Sequence, residues 1–407
     1  MSITIKRSMW LGGLALLAAL GVAVKMALAI AAFSPAGQPV GYVSQDEMTN
    51  YDLRSGNEAL FRTQYEREFW SGSLFYYPVD ARGNIGFSQW HGDEIDGQNP
   101  DTGRFIGTMK DDGTGAAFRL ASLSAAQMTL LNNDTALVNF LRGDRTGEGT
   151  TYRKRLTVMG DIVHSRPLYV ADATNPTLFV GANDGMLHAI KATADGGTER
   201  WAYVPSMLLP KMKNLAVTPY VHDYYVDGQV NVATVDDGDV RMLVGGLGSG
   251  GKGLYALNIT GSAGLSASSD TEVAAKVMWE ITPTKLSYAA PATVNAYVNL
   301  GYTYGTISMA KMKISGAMVD VVIFGNGYND GLGSYAGCTH GTPNYANCGG
   351  NYAAYLYVVN ALTGQLISAI KAGANGTAAA PNGLSTPVAI DVDGDGAVDR
   401  VYAGDLN

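Results

Sequence analysis

Charge is scarce in this chain. Asp, Glu, Lys and Arg make up 16% of its 407 residues, against about 25% in ordinary soluble domains. Low charge with 46% hydrophobic residues excludes a disordered chain, which has the opposite balance. Ala, Glu, Lys, Leu and Arg do not dominate, so a coiled coil is excluded as well. Basic runs are absent, and the formal net charge is −8. No nucleic-acid partner is expected. Histidine is rare, and the five (His91, His164, His188, His222 and His340) show no metal-binding spacing. His164-Ser165 are neighbours in sequence only, and a catalytic triad is a spatial arrangement. Cysteine is limited to two residues. What is plentiful is glycine (51) and tyrosine (23), a mix that suits a turn-rich β protein.

Long apolar runs are missing too, except at the start. Lys6 and Arg7 precede an apolar stretch from Met9 to Val24, and Ala27-Leu28-Ala29 and Ala29-Ile30-Ala31 offer small residues for cleavage. Residues 1–32 therefore read as an export signal. The alternative is a retained membrane anchor, against which Lys25 interrupts the run. No cysteine lies near the cleavage site, which disfavours a lipoprotein. Either way the remainder leaves the cytoplasm. In that setting Cys338 and Cys348 are expected to form a disulfide, closing a short loop worth roughly 2–3 kcal/mol. Zinc with His340 as a third ligand lacks a fourth. At the other end the chain stops at Gly404-Asp405-Leu406-Asn407, directly after an expected strand from Arg400 to Ala403. A strand without its partner leaves open backbone groups, so a fragment of something longer is expected.

Residues 33–154 read as a small α+β module. Phe69 to Asp80 is aromatic-rich strand with turn residues, and Leu123, Met128, Leu131, Leu137 and Leu141 have helical spacing within Ala121 to Leu141. Ser122 or Ser124 is the expected cap. Residues 155–407 repeat a unit of strand, glycine-rich turn, strand, turn and a third strand that often carries Trp. Thr177–Val180, Met186–Lys191 and Glu199–Val204 form the first unit. Arg241–Gly245, Leu254–Ile259 and Val277–Ile281 form the second. Val319–Phe324, Tyr355–Asn360 and Gln365–Ile370 form the third, and Arg400–Ala403 begins a fourth. Such repeats suggest β-propeller blades. Three and a fraction do not close a ring of the usual four to eight.

The sharpest motif is Asp391-Val392-Asp393-Gly394-Asp395-Gly396-Ala397-Val398-Asp399. Carboxylates at loop positions 1, 3, 5 and 9, with Gly at 6, match a hard cation that wants six to eight oxygens. The Ala397 carbonyl is expected at position 7. Position 12 is Tyr402 rather than Glu, so this is not an EF-hand, and Asp399 is expected as the last side-chain ligand. Calcium is the expected cofactor. Gly246-Leu247-Gly248-Ser249-Gly250-Gly251-Lys252-Gly253 mimics nucleotide loops, but a strand-like run follows where a phosphate site needs a helix. Arg142-Gly143-Asp144 is a candidate adhesion motif with a structural role as its alternative. Tyr220, Tyr224, Tyr225, Tyr302 and Tyr304 read as blade packing, or as the lining of a sugar or peptide face.

Taken in order, many short stretches resemble the C-terminal part of the PilC/PilY family of type IV pilus tip adhesins and biogenesis factors. They include Trp70-Ser71-Gly72-Ser73-Leu74, Leu141-Arg142-Gly143-Asp144-Arg145, Gly160-Asp161-Ile162-Val163-His164-Ser165-Arg166-Pro167 and Gly181-Ala182-Asn183-Asp184-Gly185. Tyr224-Tyr225-Val226-Asp227-Gly228, Phe324-Gly325-Asn326-Gly327-Tyr328, Asn382-Gly383-Leu384 and the Asp391–Asp399 loop follow. The resemblance implies an all-β, quinoprotein-like propeller, here incomplete, with calcium on Asp391, Asp393, Asp395 and Asp399. It implies an exported, non-catalytic protein at the periplasm or outer surface and the pilus tip. Expected partners are minor pilins of the pilus tip and a host or abiotic surface. The large N-terminal domain common in that family is absent from this sequence. Two other functions compete. A quinone-dependent dehydrogenase uses similar blades and calcium, but needs a full ring and often adjacent cysteines. A non-functional remnant of a longer gene is the other.

Overall fold

A computed structural model describes residues 42–49, 58–80, 82–90, 92–283, 297–330, 352–377 and 379–406. The expected export segment (1–32) and both cysteines lie outside the described residues. Met1–Val43 is a unit by itself, and Ser44–Asn407 forms the other. Strands β1 (Tyr42–Thr49), β2 (Glu58–Glu66) and β3 (Ser71–Val79) make a first sheet in that order. A second, six-stranded sheet runs β5-β4-β9-β8-β7-β6. Its strands are β4 (Ile106–Met109), β5 (Gly115–Ala117), β6 (Leu168–Val170), β7 (Thr177–Gly181), β8 (Leu187–Lys191) and β9 (Glu199–Val204). Two four-stranded antiparallel meanders follow. The first is β10 (Val230–Val235), β11 (Val240–Gly246), β12 (Leu254–Asn258) and β13 (Val277–Ile281). The second is β14 (Ser308–Ile314), β15 (Ala317–Gly325), β16 (Ala353–Asn360) and β17 (Leu366–Asn375). A hairpin of β18 (Val388–Ile390) and β19 (Arg400–Tyr402) ends the described chain.

Period-two alternation explains how the sheets stack. Successive side chains of a strand point to opposite faces, and here both faces are apolar. Leu178 and Val180 of β7 pack with Phe61, Leu74, Tyr76 and Trp90 of the first sheet's core. Phe179 between them faces the other way, towards Leu243, Tyr255 and Leu257. Met242 and Val244 of β11 join Trp279, Val322, Phe324 and Tyr357 at the next seam. Val321 and Ile323 of β15 turn away to meet Ala389, Val398 and Val401 of the terminal hairpin. The six-stranded sheet and the two meanders are thus each buried on both sides by neighbours, the arrangement of propeller blades. Among the described residues no strand pairing joins the last sheet to the first.

The expected units are present as β7–β9, β11–β13 and β15–β17, with β19 opening the fourth. The structure adds a strand ahead of each: β6, β10, β14 and β18. It also changes the expected 33–154 module. Ile106 to Thr108 of β4 pair parallel with Ala202 to Val204 of β9, so one sheet continues across the 154/155 boundary. The β1–β3 sheet packs on β7 in the manner of another blade. The helical stretch is two helices, not one. Ser124 caps Ala125–Leu130 in a capping box with Gln127, and Asp134 caps Thr135–Leu141. Between them Asn132 and Asn133 sit at φ 59° and 52°, a left-handed conformation that asparagine tolerates and a helix does not.

Candidate functional site

The acidic loop spans the turn of the β18–β19 hairpin. Its register is fixed from both ends: Asp399 N–H donates to the Ile390 carbonyl (3.0 Å) and Val398 N–H donates to the Lys311 carbonyl on β14 (2.7 Å). Ala397 is buried at 3% exposure, and Val398 beside it packs against the apolar cluster of β15. The aspartates organise the backbone around them. Asp391 accepts from Gly394 N–H (2.7 Å) and Gly396 N–H (2.8 Å), and Asp395 accepts from Ala397 N–H (2.8 Å). Gly394 (φ 78°) and Gly396 (φ 86°) supply the left-handed turns this winding needs.

Asp391, Asp393 and Asp395 each bring a carboxylate oxygen within 4.8 Å of the others. Calcium–oxygen bonds of about 2.3–2.6 Å place opposite ligands roughly 4.6–5.2 Å apart, so the donor set fits a hard cation. Asp399 stands apart from this group. Its Oδ2 accepts from Val392 N–H (2.7 Å) and Asp393 N–H (3.4 Å), bracing the loop. The positive charge near the cluster comes from Lys313 on β14, which pairs with Asp395. That pairing and the Ala397 hydrogen bond hold the Asp395 carboxyl below its usual range.

Other expected residues fall elsewhere. Arg142-Gly143-Asp144 is corrected as an adhesion motif. Arg142 is 1% exposed and donates to the carbonyls of Arg104 (2.8 Å) and Phe118 (3.1 Å), so its guanidinium is unavailable to a partner. Asp144 accepts from the Thr146 backbone and hydroxyl. The glycine run forms a short turn, Gly248–Gly250, ahead of strand β12, and no helix follows. Ser165 is buried and its Oγ accepts the Gly181 N–H (2.8 Å), which removes a nucleophile reading.

Sequence reasoning missed one group of residues, the two His–Asp pairs at the sheet ends. His164 Nδ1 lies 2.6 Å from Asp227 Oδ2, and His222 Nε2 lies 2.8 Å from Asp161 Oδ2. Both carboxylates are buried. The hydrogen bond to Asp227 raises the His164 pKa above its ordinary value. The only signal in the sequence was the recurrence of Asp beside Gly in the segments entering each blade.

A family model described as the PilY1 beta-propeller domain matches residues 163–407. The chain belongs to the PilY1 β-propeller family. A type IV pilus biogenesis factor PilY1 homolog of Xylella fastidiosa is 33% identical over 315 residues, covering 67% of this chain and 18% of that protein. The type IV pilus biogenesis factor PilY1 of Pseudomonas aeruginosa strain PAK is 30% identical over 402 residues, covering 86% of this chain and 30% of that protein. The chain thus spans less than a third of either relative's length. Among solved structures, the Pseudomonas aeruginosa PilY1 C-terminal domain is 30% identical with a TM-score of 0.38, covering 57% of this chain and 37% of that one. A quinohemoprotein alcohol dehydrogenase from Comamonas testosteroni is 12% identical with a TM-score of 0.34, over 84% of this chain and 38% of that one. Superpositions at these scores carry no argument about activity.

Proposed function

We propose that this chain acts in type IV pilus biogenesis, as an exported, calcium-binding and non-catalytic component that also contributes to surface adhesion at the pilus tip. Membership of the PilY1 β-propeller family supports the pilus role, and minor pilins are the partners it points to. The single observation that carries the calcium reading is the convergence of Asp391, Asp393 and Asp395 in a hairpin turn tied to β14. A bound calcium ion would supply the positive charge that lets these carboxylates share one point. The protein's own part is to hold the loop still. Asp399 clamps the Val392 and Asp393 amides, Val398 packs on the β15 cluster, and the Val398–Lys311 bond joins the loop to the neighbouring sheet. The role is mechanical: an ordered loop closes one side of β14–β17.

Two experiments test the reading. Pili sheared from the native cells are immunoblotted with an antibody to residues 151–407. A band in the pilus fraction is expected, and protein found only in the periplasm would overturn the pilus role. For calcium, thermal unfolding of wild type and Asp393→Asn is followed with calcium and with chelator. Calcium at a hundred times its Kd is expected to stabilise wild type by about 2.7 kcal/mol and to leave the variant unmoved. Equal melting in all four conditions would overturn the site.

A further inference from the structure

The tyrosines divide once placed in the fold. Tyr225 is fully buried, whereas Tyr304 and Tyr328 are 52% and 40% exposed. The exposed ones belong to a band of rings contributed by the segments that enter successive sheets. Trp70, in the turn before β3, stacks on His222 with ring centres 3.6 Å apart. His222 meets Tyr224 edge-on at 5.0 Å, and His164 lies 5.5 Å from the same tyrosine. Tyr224 is within electrostatic reach of Tyr304, which stacks beside Tyr302, and Tyr302 in turn neighbours Tyr328.

This band is held rigidly. Trp70 sits at φ 49°, a conformation costing a bulky residue on the order of 1–3 kcal/mol and kept only where the surroundings impose it. Gly327 lets the Tyr328 segment press on the Tyr302 carbonyl, where a Cβ would come within 1.8 Å. Asp227 and Asp161 fix the orientations of His164 and His222 from beneath. Four carboxylates beside the band have basic partners: Asp161 with His222, Asp227 with His164, Asp223 with Lys211, and Asp330 with Lys252. The surface is therefore aromatic and rich in hydrogen-bonding groups, with these four carboxylates paired off.

We infer that this face binds a neutral oligosaccharide. Flat ring faces at Trp70, Tyr224 and Tyr304 take the apolar faces of sugar rings, while His164 and the tyrosine hydroxyls meet sugar hydroxyls. Paired charges favour a neutral, polyhydroxylated ligand over an anionic or cationic one. Preorganisation by the buried aspartates limits the ordering cost of binding. The inference stands on the aromatic band alone; it gives a partner chemistry to the adhesion part of the reading above and leaves the calcium loop and the pilus-fraction assay independent of it.

The test is saturation-transfer NMR and calorimetry on the full chain with cellohexaose, maltohexaose, mannohexaose and chitohexaose. At least one is expected to bind. Tyr304→Ala is expected to weaken it roughly tenfold, and Tyr304→Trp to restore it. His164→Ala should weaken it too. Phe87→Ala, at a residue 96% exposed and outside the band, should leave binding unchanged. Unaltered thermal melts keep the comparison free of unfolding. No binding to any of the four sugars overturns the inference, as does binding indifferent to both Tyr304→Ala and His164→Ala. Selective binding of a proline-rich peptide in their place overturns it as well.

Discussion

His188 sits fully buried on β8 between two carboxylates, and that placement makes a quantitative demand on stability. Its Nδ1 lies 2.7 Å from Glu199 Oε1 and its Nε2 3.1 Å from Asp184 Oδ2. Glu199 also takes both arms of buried Arg104, at 2.8 and 2.9 Å. Burial alone would push the His188 pKa down, but Asp184 and Glu199 overcome it and raise it from 6.5 to about 9. Burial would likewise push Glu199 up, and Arg104 and His188 overcome it, bringing it from 4.5 to about 2. The folded state therefore holds the His188 proton more tightly than the unfolded chain does. That stability is present in full below pH 6.5 and is lost as pH rises through about 9. At 1.36 kcal/mol per pKa unit it amounts to roughly 3 kcal/mol. The Glu199 contribution has the opposite sense: present above 4.5, it is lost as pH falls towards 2. Denaturant unfolding of wild type and His188→Gln at pH 6 and pH 9.5 isolates the histidine. At pH 6 the variant should be about 3–5 kcal/mol less stable, the cost of breaking a buried ionic network. At pH 9.5 the gap should shrink by roughly 3 kcal/mol. A gap that does not change with pH would refute the reasoning, because the folded state would then hold the His188 proton no more tightly than the unfolded chain.

Three further outcomes are expected. Lys313→Gln removes the lysine that pairs with Asp395, so calorimetry should show tighter calcium binding with a stronger dependence on salt; equal affinity would mean that Lys313 does not compete for the loop. Gly250→Ala would place a Cβ 1.6 Å from the Tyr225 carbonyl oxygen, and since backbone must move, a loss on the order of 3 kcal/mol or more should appear in chemical unfolding. Trp279→Ala empties the seam between β10–β13 and β14–β17 and deletes the Nε1 hydrogen bond to the Ala361 carbonyl at 2.7 Å, so a shift of about 3–5 kcal/mol in unfolding free energy is expected.

The second to fourth strands of each blade were legible because each carries a strong local signal. Leu178, Phe179 and Val180 form a continuous apolar run, as a strand buried on both faces must, and Asn183-Asp184-Gly185 marks the turn that follows. The first strands carried no such signal. In β14, Ser-Met-Ala-Lys-Met-Lys-Ile, every residue but one is only half-buried and that one is exposed. In β10 the Asn-Val-Ala stretch is half-buried throughout. Such strands are fixed by pairing with the strand that follows, Ser308 with Ile323 through Ile314 with Ala317, which is a tertiary fact that periodicity does not encode. The graft of β4 onto β9 was hidden for the same reason. It is a parallel pairing between residues almost a hundred positions apart.

The two candidate sites were unequally legible because their geometry has different origins. The acidic loop is local: nine consecutive residues contain the carboxylates, the glycines that turn the chain and the Val398 that packs on β15, so spacing alone brought Asp391, Asp393 and Asp395 together. Asp399 alone lies outside that cluster, its Oδ2 accepting the Val392 amide. The aromatic band is assembled from five separate segments, and each ring alone reads as packing. Close-approach glycines help gather them: a side chain at Gly72 would strike the Gly160 carbonyl, one at Gly250 the Tyr225 carbonyl, and one at Gly327 the Tyr302 carbonyl, each within 2.1 Å. Those glycines are visible in the sequence, but glycine marks turns and close approaches alike. The distinction rests on which backbone lies opposite, and Arg142-Gly143-Asp144 illustrates the converse error: a motif legible by its letters, whose arginine the same packing has buried.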